Sequence, residues 1–420
     1  MGLILGVDIC DDYSQISSYD TVSGDVESIT LGGEGAAERI PTVICKKNGC
    51  DEWLIGEEAY RNALIGQGTL VDRLVRLAIK NGSATLEGTK YKAEQLMFRF
   101  VQKVIGLAGR RYETDEIDSL VFTLHESGPR INDVLIRVAE SLNVSREKVH
   151  IYTHTECFVY YILSQNSEIW SNQVSMFDLK DNAIYYYELR AIRGRRPVVI
   201  EAAREKLPEG FSLSVLDTPA GEKLADSILS SCAERVLAKK TVSSVVLTGR
   251  GFETTNWAGE FLNVICNRRR VFQSSQIFAQ GAAYAAYDHT LEKSAYPYLF
   301  ICEGRLASTV SLYAVFDGRR EQIVFAQAGT NWYEAGTKAS FIVDDIKDVI
   351  LDVTPVAGNK TLQVSISLDE LPSRPNKTTR IELSVTFSSE KKMVVKIKDC
   401  GFGDLFPSSG IVIRGEYFIP

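Results

Sequence analysis

The stretch LILGVDICDD, residues 3–12, decides the fold of this chain. Residues 3–9 form a short, mostly apolar run that predicts a buried β-strand, and acidic residues gather where this run ends: Asp8, Asp11 and Asp12. Two more short strands are predicted at residues 17–20 and 26–30, with Gly24 at the turn between them. The chain therefore opens on an antiparallel meander, and no signal peptide is expected in front of it.

The same succession of predicted elements occurs twice within residues 1–290. In the first half, apolar residues at helical or strand spacing predict helices at 91–108, 131–142 and 156–163 and strands at 120–124 and 149–152. In the second half they predict strands at 174–179, 183–189, 198–203 and 242–247 and helices at 221–239 and 277–287. This repetition predicts a duplicated α/β domain with a cleft between halves of roughly 1–165 and 166–290.

From about Tyr296 the pattern changes to short alternating strands. These are predicted at residues 310–316, 322–326, 362–366, 381–387 and 393–397, separated by glycine, proline and aspartate. Such a succession is typical of an all-β sandwich. The chain is therefore expected to contain an α/β domain, residues 1–290, and a β-sandwich domain, residues 296–420.

The composition narrows the possible functions. A net charge of -7 argues against a protein that binds nucleic acid through its phosphates, and no apolar run reaches the length of a membrane span. The eight cysteines are scattered without a C-x-x-C pair, and only four histidines could join them as ligands. Reduced thiols, no metal site and a cytoplasmic location are therefore expected.

Six short motifs along the first domain resemble, in their order, the DnaK-type (seventy-kilodalton heat-shock) chaperones of the actin-like ATPase superfamily. They are Gly6-Val7-Asp8-Ile9, the pair formed by residues 40–43 and 54–59, Thr155-Glu156, Phe177-Asp178-Leu179, residues 245–249 and residues 280–283. In the second domain, LDELPSRP at 368–375, followed by 380–387 and 394–399, is similar to the last strands of the chaperone peptide-binding domain. The resemblance covers nearly the whole chain.

The resemblance implies an actin-like, duplicated ribonuclease-H-like ATPase fold followed by a β-sandwich. At the positions that would hold the Mg²⁺ water shell and orient the attacking water stand Asp8, Glu156 and Asp178. At the positions of the two phosphate loops and the adenosine motif stand Asp11, Asp12, Lys180, Asp181, Gly249, Arg250 and Gly251. A simpler interpretation is that the two aspartates end strands while Glu156 caps a helix.

Several of these positions depart from the family pattern. Asp11 and Asp12 replace residues that cradle phosphate, and each carboxylate facing a polyphosphate costs on the order of 4 kcal/mol at 4 Å. The family's catalytic lysine would follow Asp72, but the sequence there has Arg73 and Arg76 and no lysine. Either arginine could contact phosphate. The simpler interpretation is a surface helix with Leu70, Leu74 and Leu77 turned inward. Only about fifty residues separate the second hairpin from Val245, which is too few for the subdomain that closes over adenine in the family. A helical lid is not expected either.

The sequence thus predicts a chaperone-like module with a degenerate, inactive nucleotide site, which binds a partner protein, an unfolded segment or a peptide. Its binding groove is expected among residues 310–315 and 323–326. One alternative is an unconventional Mg²⁺-dependent ATPase chaperone that uses Asp8, Glu156 and Asp178. The other is a non-catalytic scaffold or assembly protein. No cofactor is expected, and ATP with Mg²⁺ would be a ligand only if the site works.

Overall fold

The computed structural model describes residues 2–31, 39–194, 196–357 and 360–420, and the chain divides into two compact units, Met1–Tyr298 and Leu299–Pro420. The second unit thus begins at residue 299, three residues after the start at 296 that the composition shift indicates. Each unit has its own hydrophobic core.

The first unit alternates strands and helices. Its strands are β1 (Leu3–Ile9), β2 (Tyr13–Asp20), β3 (Asp25–Ile29), β4 (Ile40–Pro41), β5 (Ile44–Lys47), β6 (Trp53–Ile55), β7 (Gly68–Val71), β8 (Ser83–Leu86), β9 (Thr89–Lys92), β10 (Ile117–Leu124), β11 (Val149–Thr153), β12 (Gln173–Lys180), β13 (Ala183–Ile192), β14 (Val199–Leu207), β15 (Val242–Thr248) and β16 (Arg270–Gln273). Its helices are α1 (Gly56–Leu64), α2 (Leu74–Ile79), α3 (Ala93–Tyr112), α4 (Pro129–Ser141), α5 (His154–Ser164), α6 (Pro219–Leu237), α7 (Gly259–Ile265) and α8 (Ile277–Asp288).

Two sheets of the first unit share one strand order. The first runs β3-β2-β1-β10-β11 and the second β14-β13-β12-β15-β16. In each, an antiparallel meander is extended on the far side of its first strand by two parallel strands. The central strands β1 and β12 therefore occupy equivalent positions, so their carboxyl ends are equivalent as well.

Helices α5 and α8 pack closely because glycine is present at their contacts. A Cβ on Gly281 of α8 would lie 1.9 Å from the carbonyl oxygen of Cys157 on α5. A Cβ on Gly6 of β1 would lie 2.3 Å from the carbonyl oxygen of Ala279. The other residues of α8 are mostly small, because its sequence is rich in alanine. Helix α8 therefore packs closely against both α5 and β1, and the start of α5 lies near the end of β1.

The second unit is a β-sandwich. Its strands are β17 (Leu299–Ile301), β18 (Ser308–Phe316), β19 (Arg319–Ala326), β20 (Thr337–Ile342), β21 (Asp348–Pro355), β22 (Leu362–Ser367), β23 (Arg380–Ser389), β24 (Lys392–Gly401) and β25 (Val412–Phe418). Two four-stranded sheets, β19-β18-β21-β22 and β20-β23-β24-β25, share one apolar core. Alternate residues of each sheet point into it, as period-2 patterning requires: Val310, Leu312 and Phe325 from one, Leu383, Val385 and Val395 from the other.

Two further features bear on the expectations from the sequence. None of the eight cysteines, all within the described residues, is in a disulfide, and four of them are buried. Among the described residues, no helix is both long enough and apolar enough to cross a membrane.

Candidate functional site

The candidate site lies where β1 and β12 end. Asp8 pairs in register with Thr123 on the parallel strand β10, and Asp178 pairs in the same way with Thr248 on β15. Each aspartate is 1% exposed. Because burying an ionised carboxylate is costly unless it has partners, the residues around these two side chains determine what the site can do.

Asp8 belongs to a cluster with Cys10 and His154, which we call the Asp8 cluster. Its Oδ1 atom lies 2.8 Å from Nε2 of His154, the first residue of α5. The Cys10 thiol donates to Asp8 Oδ1 at 3.6 Å, and its Sγ lies 3.8 Å from the same Nε2. The His154 ring is held from its other side by stacking on Phe278 of α8, with ring centroids 3.8 Å apart. The imidazole orientation is therefore fixed by packing.

Asp178 belongs to a second cluster, with Lys180, His125 and Arg204, which we call the Lys180 cluster. The Lys180 ammonium lies 3.7 Å from Asp178 Oδ2 and 3.3 Å from Nδ1 of His125. Arg204 on β14 donates to the carbonyl oxygen of His125 at 2.7 Å. His125 directly follows β10, and Lys180 on β12 and Arg204 on β14 both contact it.

Burial controls the protonation of the Asp8 cluster. It raises the pKa of Asp8 to about 7, against the opposing effects of Lys180 and the hydrogen bond from Cys10. Burial also raises the pKa of the Cys10 thiol, and the neighbouring Asp8 raises it further. The pKa of His154 is lowered by burial and then by the charges of Lys180 and Arg204, so its imidazole is neutral.

The Lys180 cluster keeps its charge. Burial works against the Lys180 ammonium, but Asp178, Cys10 and Asp8 together raise its pKa. Burial raises the pKa of Asp178, and Lys180 opposes that rise. The pKa of His125 is lowered by burial and by the adjacent Lys180. Lys180 is therefore the cation that faces the buried carboxylate of Asp178.

The Asp8 cluster does not have the properties of a nucleophilic triad. In such a triad one imidazole nitrogen faces the nucleophile and the other faces the carboxylate. Here Cys10 and Asp8 approach the same nitrogen, Nε2, and the raised pKa of Cys10 keeps it a thiol. What the cluster does offer is one sulfur, one nitrogen and one oxygen donor, all within 4.8 Å of one another, which is a set that could hold a metal ion.

Glu156, predicted as a catalytic position, lies in a helix cap. Its carboxylate accepts hydrogen bonds from the backbone N–H of Thr153 at 2.8 Å and from the Thr153 hydroxyl at 3.2 Å. The Thr153 hydroxyl in turn accepts from the Glu156 N–H, which completes a capping box at the start of α5. Glu156 thus has the structural role that the simpler interpretation of the sequence assigns to it.

The first predicted phosphate loop makes contacts within the protein. Asp11 accepts a hydrogen bond from the backbone N–H of Arg76 at 2.9 Å, and its carboxylate lies 3.7 Å from the Arg76 guanidinium. The Asp12 side chain is exposed. The helix predicted around Leu70, Leu74 and Leu77 is wrong in part: Leu70 lies in β7, and α2 begins only at Leu74 because Arg73 takes a left-handed conformation with φ 51°.

The second hairpin and the adenosine motif pack against each other. Arg250 donates to Asp181 at 3.2 Å. A Cβ on Gly249, whose φ is +95°, would lie 2.4 Å from the carbonyl oxygen of Leu179. One on Gly251 would lie 2.3 Å from the Leu179 side chain. These glycines are therefore required for contact within the protein itself.

The space that remains between the two predicted phosphate loops is small. It measures about 20 Å³ and is lined by Cys10, Asp12, Tyr13, Lys180, Asp181 and Arg250. Ligand pockets ordinarily have volumes of about 300–1,000 Å³. The predicted nucleotide residues of both loops do meet here, but the cavity that they enclose has the size of one water molecule.

Sequence reasoning missed the histidines and Arg204. His154 precedes the Thr155-Glu156 motif directly, and His125 follows a predicted strand. Because parallel strands place their carboxyl ends at one edge of a sheet, the residues just after residues 120–124 and 149–152 could have been selected on that basis. Arg204 carries no such signal, since it reaches the site from within β14 and not from the end of a strand.

Comparison with known protein families gives two matches. The profile described as "Family of unknown function (DUF5716) C-terminal" matches residues 25–303, about two thirds of the chain. A second profile, "Domain of unknown function (DUF8552)", matches residues 305–417. The chain therefore belongs to the DUF5716 family. A search of curated proteins finds no match.

Proposed function

We propose that this protein is a chaperone-like protein that binds extended apolar peptide segments and does not hydrolyse ATP. In this proposal the first unit is an actin-like domain, and the second is a peptide-binding sandwich. The shared strand order of the two sheets supports the first assignment. So do the equivalent places of Asp8 and Asp178 at the ends of β1 and β12.

The small volume of the cavity between the predicted phosphate loops carries the non-catalytic part of the proposal. Its volume of about 20 Å³ is far below the range of ligand pockets. The polar groups around it are engaged with one another, as in the pairs Asp181–Arg250 and Asp178–Lys180. Admitting a triphosphate would require these pairs to separate and Asp8 and Asp178 to face further negative charge.

The outer face of the β18–β19 sheet supports the binding part. Tyr313, Val315 and Val324 are 47%, 74% and 46% exposed, and Ile350 on β21 is 49% exposed. The groove is predicted among residues 310–315 and 323–326, and four residues of these stretches, Val310, Leu312, Phe325 and Ala326, are buried in the core. The exposed members of the two stretches are therefore the candidates for contact with a peptide. Large apolar side chains gathered on one sheet face mark interaction surfaces.

The proposed partner is therefore an unfolded segment or a partner protein that offers an extended apolar stretch. The net charge of -7 disfavours a nucleic-acid partner. We propose a cytoplasmic location, since eight cysteines outside disulfides suit a reducing compartment.

Fluorescence anisotropy with a labelled leucine-rich heptapeptide and the full-length chain tests the proposal. We expect saturable binding that Mg-ATP does not change. Val315→Lys should weaken the binding at least about tenfold, because it replaces the most exposed of the four exposed apolar side chains with a charge beside Arg320, the residue paired with it on β19. The matched control is Val22→Lys, which changes a 95% exposed valine in the first unit and should bind normally.

Each contrary result selects an alternative. Absence of saturable binding would remove the peptide-binding function and leave a scaffold or assembly protein. Binding that Mg-ATP weakens would show that the nucleotide site works, and an unconventional ATPase chaperone would then be the better account.

A further inference from the structure

The Asp8 cluster brings together three kinds of metal donor from separate parts of the chain. Asp8 Oδ1 comes from β1, Cys10 Sγ from the turn that follows, and His154 Nε2 from the first residue of α5. The three separations are 2.8 Å between Oδ1 and Nε2, 3.6 Å between Sγ and Oδ1, and 3.8 Å between Sγ and Nε2. Three donors are thus already assembled without any change in the backbone.

These separations are close to the edges of a zinc coordination tetrahedron. Zinc bonds of about 2.3 Å to sulfur and 2.0–2.2 Å to nitrogen or oxygen, at tetrahedral angles, place donors about 3.3–3.7 Å apart. The two distances from Cys10 Sγ are near this range. Only the hydrogen bond between Asp8 and His154 would have to open, by about 0.5 Å, and it would be exchanged for two bonds to the ion.

The cluster also contains buried polar atoms with unused capacity. Asp8 Oδ2 and His154 Nδ1 have no hydrogen-bond partner within the described part of the chain, and both residues are 1% exposed. Nearly all buried polar atoms are satisfied in folded proteins, so each exception needs an explanation. An ion bound between Asp8 and His154 would provide one for the carboxylate, whose second oxygen could join the first in coordination.

A small cavity borders one of the three donors, Cys10. The thiol borders the cavity of about 20 Å³ described above, which is large enough for one water molecule. Zinc sites with three protein ligands characteristically hold a water as the fourth. The cavity therefore has the size that a zinc-bound water requires.

We propose that Asp8, Cys10 and His154 bind one zinc ion, with water as the fourth ligand. The donor set selects the metal, because thiolate and imidazole together favour zinc, whereas Mg²⁺ takes oxygen ligands. The thiol proton and the proton shared between Asp8 Oδ1 and His154 Nε2 leave these atoms when they bind the ion, the first to solvent and the second to solvent or to His154 Nδ1. One thiolate and one carboxylate then balance the charge of Zn²⁺, while Lys180 keeps its partner Asp178. This inference does not depend on peptide binding by the second unit.

Cobalt titration of the full-length protein tests the site. The protein is first stripped with a chelator, and Co²⁺ is then added, because it occupies zinc sites and reports a thiolate ligand by a charge-transfer band. We expect one equivalent bound, a thiolate band, and its loss when Zn²⁺ is added. Cys10→Ser should remove the band and weaken binding by at least about 100-fold. The matched control, Cys50→Ser, changes an exposed thiol outside the cluster and should titrate as the wild type.

Circular dichroism would show whether Cys10→Ser folds. If it does not fold, the thiolate band of the wild-type protein still tests whether sulfur binds the metal. A saturated wild-type protein without a thiolate band would overturn the proposal. So would equal metal binding by folded Cys10→Ser and by Cys50→Ser.

Discussion

At the scale of single residues, the charge of Lys180 holds the second half of the site together. Asp178 is buried, neither of its carboxylate oxygens has a hydrogen-bond partner in the described part of the chain, and the Lys180 ammonium lies 3.7 Å away. Removing one member of a buried pair leaves an uncompensated charge, whereas removing both can be nearly neutral. The contribution of the Asp178–Lys180 pair to the free energy of unfolding can therefore be measured by comparing a single variant with the double variant.

We expect Lys180→Met to lower the free energy of unfolding by about 3–5 kcal/mol, measured by urea denaturation. The control Lys223→Met, at an exposed position of α6, should change it by less than about 0.5 kcal/mol. Adding Asp178→Asn to Lys180→Met should recover much of the loss. If the single variant is as stable as the control, Lys180 does not compensate Asp178.

A second buried ion pair lies in the second unit and makes its stability depend on pH. Arg374 donates two hydrogen bonds to Asp399, each of 2.8 Å, and Ser409 adds two more of 2.7 Å. The Arg374 guanidinium, followed by the bonds from Ser409 and Gly401, holds the pKa of Asp399 well below its usual value despite the burial that opposes it. Folding therefore favours the ionised form of Asp399.

Because the folded pKa of Asp399 is depressed, its contribution is complete above its unfolded pKa of about 4 and is lost as the pH falls further. Between pH 7 and pH 3, the wild type should lose about 1 kcal/mol more unfolding free energy than Asp399→Asn, measured by urea unfolding at each pH. Asp404→Asn, at an exposed position in the segment that follows β24, should follow the wild-type profile. Parallel profiles for wild type and Asp399→Asn would contradict the assignment.

At the scale of elements, the sequence predicts long periodic segments well and short ones poorly. Leu3–Ile9 is a strand with the predicted bounds, and α8 ends one residue after its prediction of 277–287. The region from 40 to 92 is different, because β5 pairs with β7 and β6, and such short strands are specified by their pairing more than by their own pattern. The spacing of leucines in the sequence predicts a helix at Leu70, whereas pairing with β5 places Leu70 in strand β7.

The same limit applies to the site. Asp8 and Asp178 could be selected from the sequence because each ends a recognisable strand. His154 could have been selected as a residue at the same sheet edge, but its contact with Asp8 could not be predicted, because the two residues are 146 positions apart and their side chains meet through tertiary packing. Close packing between elements is thus the information that single-sequence patterns do not carry.

Two glycines test the importance of that packing. Gly281→Ala places a methyl group 1.9 Å from the Cys157 carbonyl oxygen, so α5 and α8 must separate, and we expect a loss of at least about 3 kcal/mol. Gly106→Ala is the matched control, since no atom lies within 4 Å of the new methyl in α3, and it should gain about 0.5–1 kcal/mol. Urea unfolding of both variants measures the difference. A tolerated Gly281→Ala would show that the helices can move apart freely.

At the scale of the whole molecule, the two sheets of the first unit share one strand order, and the two predicted phosphate loops meet between them. The space left between these loops is only about 20 Å³, because side chains of the protein occupy it. Asp11 is bonded to α2, Asp181 to Arg250, and Glu156 to the start of α5. A nucleotide would have to break several of these contacts before it gained any of its own. Binding energy would thus be spent on opening the site.

We therefore expect ATP and ADP, each with millimolar Mg²⁺, to leave the melting temperature of the full-length protein unchanged. A ligand at a hundredfold excess over its dissociation constant stabilises the folded state by about 2.7 kcal/mol, which thermal denaturation detects easily. Opening the site should not by itself create affinity, so Arg250→Ala, which releases Asp181, should also show no shift. A rise in melting temperature that requires both ATP and Mg²⁺ would show instead that the loops rearrange around the nucleotide.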